Sequence, residues 1–147
     1  MPLLPPRDAT GVVMPHDDPE IGNETILVRH INPAYHVVLD ENIGGRRISS
    51  NAFSCSTGDP GHGMSVDIGQ LLSEAARSMA AMVPMGFGAV SLNVGQVRNL
   101  VLKVGSDPIP EKNPYHGQTW GVRRRARPQL HGIVIDWVVA IEGVAIR

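Results

Sequence analysis

In ISSNAFSCSTGDPGHGMSVD, residues 48–67, seven of twenty side chains are hydroxyls or thiols, with one histidine and several glycines among them. Three kinds of site could grow from such a stretch. Ser65 lies in HGMSVDIG, and a hydrolase nucleophile elbow needs glycines two residues before and two after its serine. Gly63 fills the first place, but Asp67 occupies the second, so that pattern fails. Cys55, with His62 nearby, would be a nucleophile only if an imidazole or a helix start stabilised its thiolate. The alternative is a lone cysteine on an exposed polar loop. GDPGHG is rich in glycine yet lacks the Lys-Ser/Thr ending of a phosphate-cradling loop.

The six histidines, at 16, 30, 36, 62, 116 and 131, include no pair three or four residues apart. That spacing would place two metal ligands on one helical face, so no metal site is predicted. His16-Asp17-Asp18 looks like a metal-phosphohydrolase ligand pair without its remaining histidines, and reads as a solvated loop. RRRAR contributes Arg123, Arg124, Arg125 and Arg127. It reads either as a solvated face or as an anion site for phosphate or RNA, where the planar guanidinium suits phosphate oxygens.

A chain of 147 residues is long enough for one domain with a substantial core. One cysteine, Cys55, excludes an internal disulfide, and nothing reads as a secretory signal. The run IVIDWVVAI (133–141) is too short to span a bilayer and contains Asp136. The expectation is a soluble, cytoplasmic protein with no membrane partner. A formal net charge of −1 argues against a dedicated nucleic-acid coat, and 4% aromatic residues leave few base-stacking platforms. Sixteen glycines and twelve prolines favour a loop-rich domain over a helical bundle.

The elements that must position these groups follow from the pattern. Residues 1–24, with five prolines, read as an extended arm that a partner chain would order, and residues 25–147 as one α+β domain. TILVRHI (25–31) is a β-branched strand, YHVVL (35–39) a short one, and RRISSNAF (46–53) a third. SCSTGDPGHG is a loop, and MSVD (64–67) a strand end or helix entry. DIGQLLSEAARSMAAMV (67–83) is the principal helix, capped by Asp67 or Ser65 and stopped by Pro84 and Gly86. GAVSLNV (88–94) reads as a buried strand, GQVRNLVLKVG (95–105) as a helix or a second strand, and YHGQTWGV (115–122) as a strand. Residues 132–146 form one long strand or a hairpin bent near Glu142-Gly143. The expected fold is a mixed, mainly antiparallel sheet with that one principal helix.

This order of elements, with LVRHI, then RISSNAF, then MSVD running into a helix, then GAVSL, resembles the ADP-ribosyltransferase group, including its RNA 2′-phosphotransferase branch. RHI, SSNAF, MSVD and DPIPEKNPYHG also resemble segments of small uncharacterised bacterial and phage proteins. The first resemblance implies NAD held between two small sheets. It places Arg29 or His30 at the nicotinamide ribose or phosphates, Ser49 or Ser50 in the second-strand hydroxyl role, and Ser65 at the cleft border. Transferases of this group that modify proteins or DNA generally depend on a glutamate on a late strand. Here Glu111 sits in a proline-rich connection and Glu142 near the end, which leaves either a variant with His116 as base or a fold that binds without turnover.

Three functions follow as expectations. One is a nucleotide-binding enzyme with His30, His116 and Ser50 in catalysis and Arg29, Ser49 and Ser65 on the cofactor. Another is a non-catalytic antitoxin, immunity or phage accessory subunit acting through a homo- or hetero-oligomeric interface. The third is an RNA-contacting protein using the 123–127 arginines.

Overall fold

The computed structural model describes residues 4–59 and 61–147. The first three residues of the expected arm, and Pro60 of the glycine-rich loop, lie outside the described residues. Six strands form the main sheet: β1 (Ile26–Ile31), β4 (Met64–Ile68), β5 (Gly88–Asn93), β6 (Lys103–Ser106), β7 (His116–Trp120) and β8 (Trp137–Val139). Their order is β6-β7-β4-β1-β5-β8, and every pairing is antiparallel. A second sheet has the order β2-β3-β9, built from β2 (Val37–Asp40), β3 (Gly45–Ile48) and β9 (Val144–Ala145). Its β3–β9 pairing is parallel, so the expected mixed, mainly antiparallel α+β fold is what forms.

Alternation along β1 explains the layering. Leu27, Arg29 and Ile31 share one side of the strand, while Val28 and His30 share the other. Leu27 and Ile31 join Met64, Val66, Ile68, Val90, Leu92 and Val104 in one apolar core. Phe53, Val97, Leu130, Ile48 and Val144 complete that core from the helices and the second sheet.

The helix expected over 67–83 is shorter. Asp67 and Ile68 belong to β4, and α2 covers only Gly69–Glu74. Beyond it Ala76 adopts a left-handed φ of 55°, and the Ala76 and Arg77 amides bond back to the Ser73 and Leu72 carbonyls at 3.0 and 2.8 Å. This Schellman closure overrides the helical preference of AARSMAAM. The reversal brings Met79 over Gly69, where a Cβ would stand 3.1 Å from Met79 Sδ and 2.5 Å from the Ile26 carbonyl oxygen. Only glycine permits that approach.

Other segments divide where the sequence left a choice. Residues 95–105 contain both alternatives: α3 (Val94–Asn99) runs into β6. RISSNAF stays extended only to Ile48, then winds into a 3-10 turn at Ser50–Phe53 capped by the Ser49 hydroxyl. Residues 33–36 form a helical turn, α1 (Pro33–His36), so the short strand starts two residues later than expected. The C-terminal stretch is neither one strand nor a hairpin, because β8 joins the main sheet and β9 the small one. Between the arginine run and β8 lies α4 (Ala126–Gly132).

The N-terminal arm is held by its own chain. Asp17 Oδ1 accepts from the Val104 amide at 2.9 Å and from Arg98 Nε at 3.0 Å. Arg98 also donates to the carbonyls of Ile21 and Asp18 and to the Asn23 side chain, and Ile21 is fully buried. Removing a guanidinium with this many acceptors leaves several polar groups without partners. Arg98→Ala is therefore expected to cost about 2–4 kcal/mol in urea denaturation and to expose residues 13–24 to limited proteolysis. An arm equally protected in that variant would mean that other contacts hold it.

Candidate functional site

β1 and β4 pair only at Leu27–Ile68 and Val28–Asp67. The ladder would continue through Arg29 and His30 opposite Val66 and Ser65, but these residues do not pair. β1 instead keeps full register with β5, and β4 with β7. The sheet therefore forks, and the fork is a cavity of about 250 Å³ lined by Arg29, His30, Ser65, Val66, Asp67, Asn113 and His116. Four expected site residues, Arg29, His30, Ser65 and His116, come together there from three strands.

Arg29 takes over the hydrogen bonding that the broken ladder abandons. Its Nη1 donates to the Ser65 carbonyl at 2.9 Å and its Nε to the Ala52 carbonyl at 2.8 Å. No carboxylate among the described residues forms an ion pair with it. Burial alone pulls its pKa down from 12.5 to about 10, which leaves it charged at neutral pH. The fork thus contains a cation bonded only to carbonyls, while the Asp67 carboxylate of the same cavity is held by other partners.

Asp67 stands opposite it in chemistry. The carboxylate is 1% exposed, accepts from Asn113 Nδ2 at 2.8 Å through Oδ1, and meets His30 Nε2 at 2.6 Å through Oδ2. An ionised carboxylate only accepts, so Nε2 carries the imidazole proton and Nδ1 keeps the lone pair. Asn113 is itself oriented, because its Oδ1 accepts from the Tyr115 amide at 3.0 Å. His116 is held the other way round. Its Nδ1 lies 2.7 Å from the Asp107 carbonyl and so donates, which leaves the lone pair on Nε2. The Asp107 carboxylate accepts from Gln118 Nε2 at 2.9 Å and completes this support. Two imidazoles with assigned protons, one cation and the Ser65 hydroxyl can bind an anion and move a proton across one cavity.

Ser49 and Ser50 do not line it. Ser49 Oγ accepts from the Asn51 amide at 3.2 Å, and Ser50 begins the 3-10 turn. That turn still meets the site, through the Ala52 carbonyl on Arg29 instead of a hydroxyl. Glu111 and Glu142 are likewise not among the cavity residues.

The remaining sequence candidates lie elsewhere. Cys55 is buried, its Sγ donating to the Val122 carbonyl at 2.9 Å, whereas His62 is exposed beside Asp59. The expected exposed loop cysteine is a core group, although Ser56, Thr57, Gly58 and Asp59 after it stay exposed. His16 packs against the Trp120 ring at 4.9 Å, and Asp17 serves the arm. Among the described residues no cluster of three or more His, Cys, Asp or Glu could hold a metal ion. Arg123, Arg124 and Arg125 are exposed, and Arg127 is half-buried in α4.

Asp67, Asn113 and Asp107 escaped the sequence reading. Asp67 passed for a helix cap, and Asn113 before Pro114 reads as a turn. The available signal was alternation: with MSVDI as a strand, Ser65 and Asp67 face the same side.

His36 lies behind the fork and accepts the Asn32 amide on Nδ1 at 2.9 Å. Burial, aided by the nearby Arg29 charge, lowers its pKa from 6.5 to about 4. The unfolded chain binds this proton at higher pH than the folded one does. Its contribution is therefore complete above pH 6.5 and fades as pH falls toward 4. The urea midpoint should drop between pH 7 and pH 5, and His36→Asn, which keeps an acceptor for the amide, should drop less. Equal losses in both proteins would assign the effect to other groups.

No family model, curated protein or solved structure matches this chain.

Proposed function

We propose that the fork binds a nucleotide of the NAD type and promotes transfer or hydrolysis at its ribose, in the manner of ADP-ribosyltransferases. The observation that carries this reading is an Arg29 cation without a carboxylate partner among the described residues, sharing one cavity with two imidazoles held by hydrogen bonds. Arg29 attracts the diphosphate. A space of about 250 Å³ suits the reacting ribose and its leaving group, with the remaining nucleotide outside. In the reaction the ribose C1–nitrogen bond breaks and its electron pair leaves with the nicotinamide. The resulting oxocarbenium ion is captured by water or an acceptor hydroxyl. His30 Nδ1 takes the proton of that nucleophile, and Asp67 stabilises the imidazolium formed. His116 Nε2 and the Ser65 hydroxyl bind ribose oxygens. Asp67, Asn113 and Asp107 are positioning residues.

Isothermal titration with NAD and ADP-ribose, paired with chromatography for released nicotinamide, tests the reading. Binding weakened by His30→Ala, with product formation abolished, is the expected result. Silence toward every nicotinamide and adenine nucleotide at millimolar concentration would remove it.

One observation favours a second reading, a non-catalytic antitoxin-, immunity- or phage-accessory-like subunit. Edge strand β2 and its flanks expose Tyr35 at 77% and Leu39 at 74%, and Ile135 before edge strand β8 is exposed as well. Such edges accept a partner strand. Light scattering coupled to size exclusion should then show a self-associated species that Leu39→Lys disperses. A strictly monomeric protein would count against self-assembly. No helix among the described residues is long and apolar enough to cross a membrane.

A further inference from the structure

A second concave feature lies away from the fork, at the other end of β7. Two cavities, of about 270 and 230 Å³, share Val101, Gly121 and Arg123 and so form one groove. Its rim carries Lys103, Arg123 and Arg125, and no carboxylate lines either part. None of the three cations has an ion-pair or side-chain hydrogen-bond partner among the described residues. The chain has a net charge of −1, yet four of its thirteen Lys and Arg fall within residues 123–127. The positive charge is therefore local, and it is concentrated beside a hollow.

Between the cations the surface is apolar and strained. Val101 is 90% exposed and holds a left-handed φ of 62°, a conformation that costs a β-branched residue of order 1–3 kcal/mol. The fold spends that strain on presenting a bare isopropyl group between cations. An apolar tip flanked by guanidinium groups matches a ligand with flat apolar faces strung on a regular line of negative charge.

We infer that this groove binds the sugar–phosphate backbone of a single-stranded nucleic acid, with bases resting against Val101 and phosphates on Lys103, Arg123 and Arg125. A single strand is thin enough to enter the hollow, whereas a duplex rides over the rim. Little aromatic surface is present, so recognition is by charge and shape with weak sequence preference.

Fluorescence anisotropy with a labelled twelve-nucleotide oligouridine tests this on the intact protein. Three phosphate contacts predict a slope of log affinity against log salt near −2. The double variant R123Q/R125Q should bind at least about tenfold more weakly, with the slope reduced by about 1.4. A double Arg→Lys variant should keep most of the affinity, which separates loss of charge from loss of fold. A duplex of equal length binding as tightly, a glutamate peptide competing as well as RNA, or affinity unchanged in R123Q/R125Q would each overturn the inference. The groove contains none of the fork residues, so failure of nucleotide turnover leaves this result standing, and the reverse also holds.

Discussion

Arg29→Met is expected to abolish nucleotide binding and to lower stability by about 2–4 kcal/mol. The two effects have separate origins. Binding fails because the only charge in the fork that suits a diphosphate is gone, and methionine offers no substitute. Stability falls because the carbonyls of Ser65 and Ala52 lose their donor inside the protein. Part of that loss is offset, since a buried cation without an ion-pair partner is itself costly and its removal relieves desolvation. Arg29→Lys distinguishes the contributions. A lysine restores the charge but cannot span two carbonyls with fixed geometry, so affinity should recover in part while the urea midpoint stays low. A Met variant with unchanged affinity and unchanged midpoint would show that Arg29 neither binds nor bridges.

Asp67→Asn is expected to reduce turnover by about 10³-fold or more while leaving nucleotide affinity nearly intact. The carboxylate accepts from two donors, one on each oxygen. An amide can accept on only one side. Its NH₂ must either face Asn113 Nδ2, donor against donor, or face His30 Nε2 and force the proton onto Nδ1. The second outcome removes the lone pair that accepts the proton of the nucleophile. The first distorts the support of the loop carrying Asn113. Either way kcat falls while KM holds, because Arg29 is untouched. If KM rose in step with the fall in kcat, Asp67 would be shaping the cavity and not the proton.

How far these features can be read from residues alone depends on what decides each of them. ILVRHI is legible because β-branched residues dominate it, and its alternation puts Arg29 and His30 on opposite sides. The fork is not, because no local pattern records where two strands cease to pair. The same blindness affects Ser49 and Ser50, which continue the polar-apolar alternation of a strand while a serine cap winds the chain into a turn. AARSMAAM carries strong helix formers, yet Ala76 in the left-handed region ends α2 nearly ten residues before Pro84 would. Tertiary packing of Met79 on Gly69 decides that contest. Cys55 reads as exposed because its neighbours Ser54 and Ser56 are polar, and Asp67 reads as a helix cap because a helical pattern follows it. In both, burial depends on what the chain brings over them from far away.

The break between β1 and β4 also has a mechanical meaning. The main sheet consists of two ribbons, β6-β7-β4 and β1-β5-β8, joined by two residue pairs and bridged by Arg29 on the Ser65 carbonyl and His30 on Asp67. A sheet stitched at one end behaves as a spring-loaded peg, stiff along each ribbon and compliant across the seam. Parting its jaws would break no other ladder but would stretch the Arg29–Ser65 and His30–Asp67 bonds, so those two bonds set the resting width of the opening.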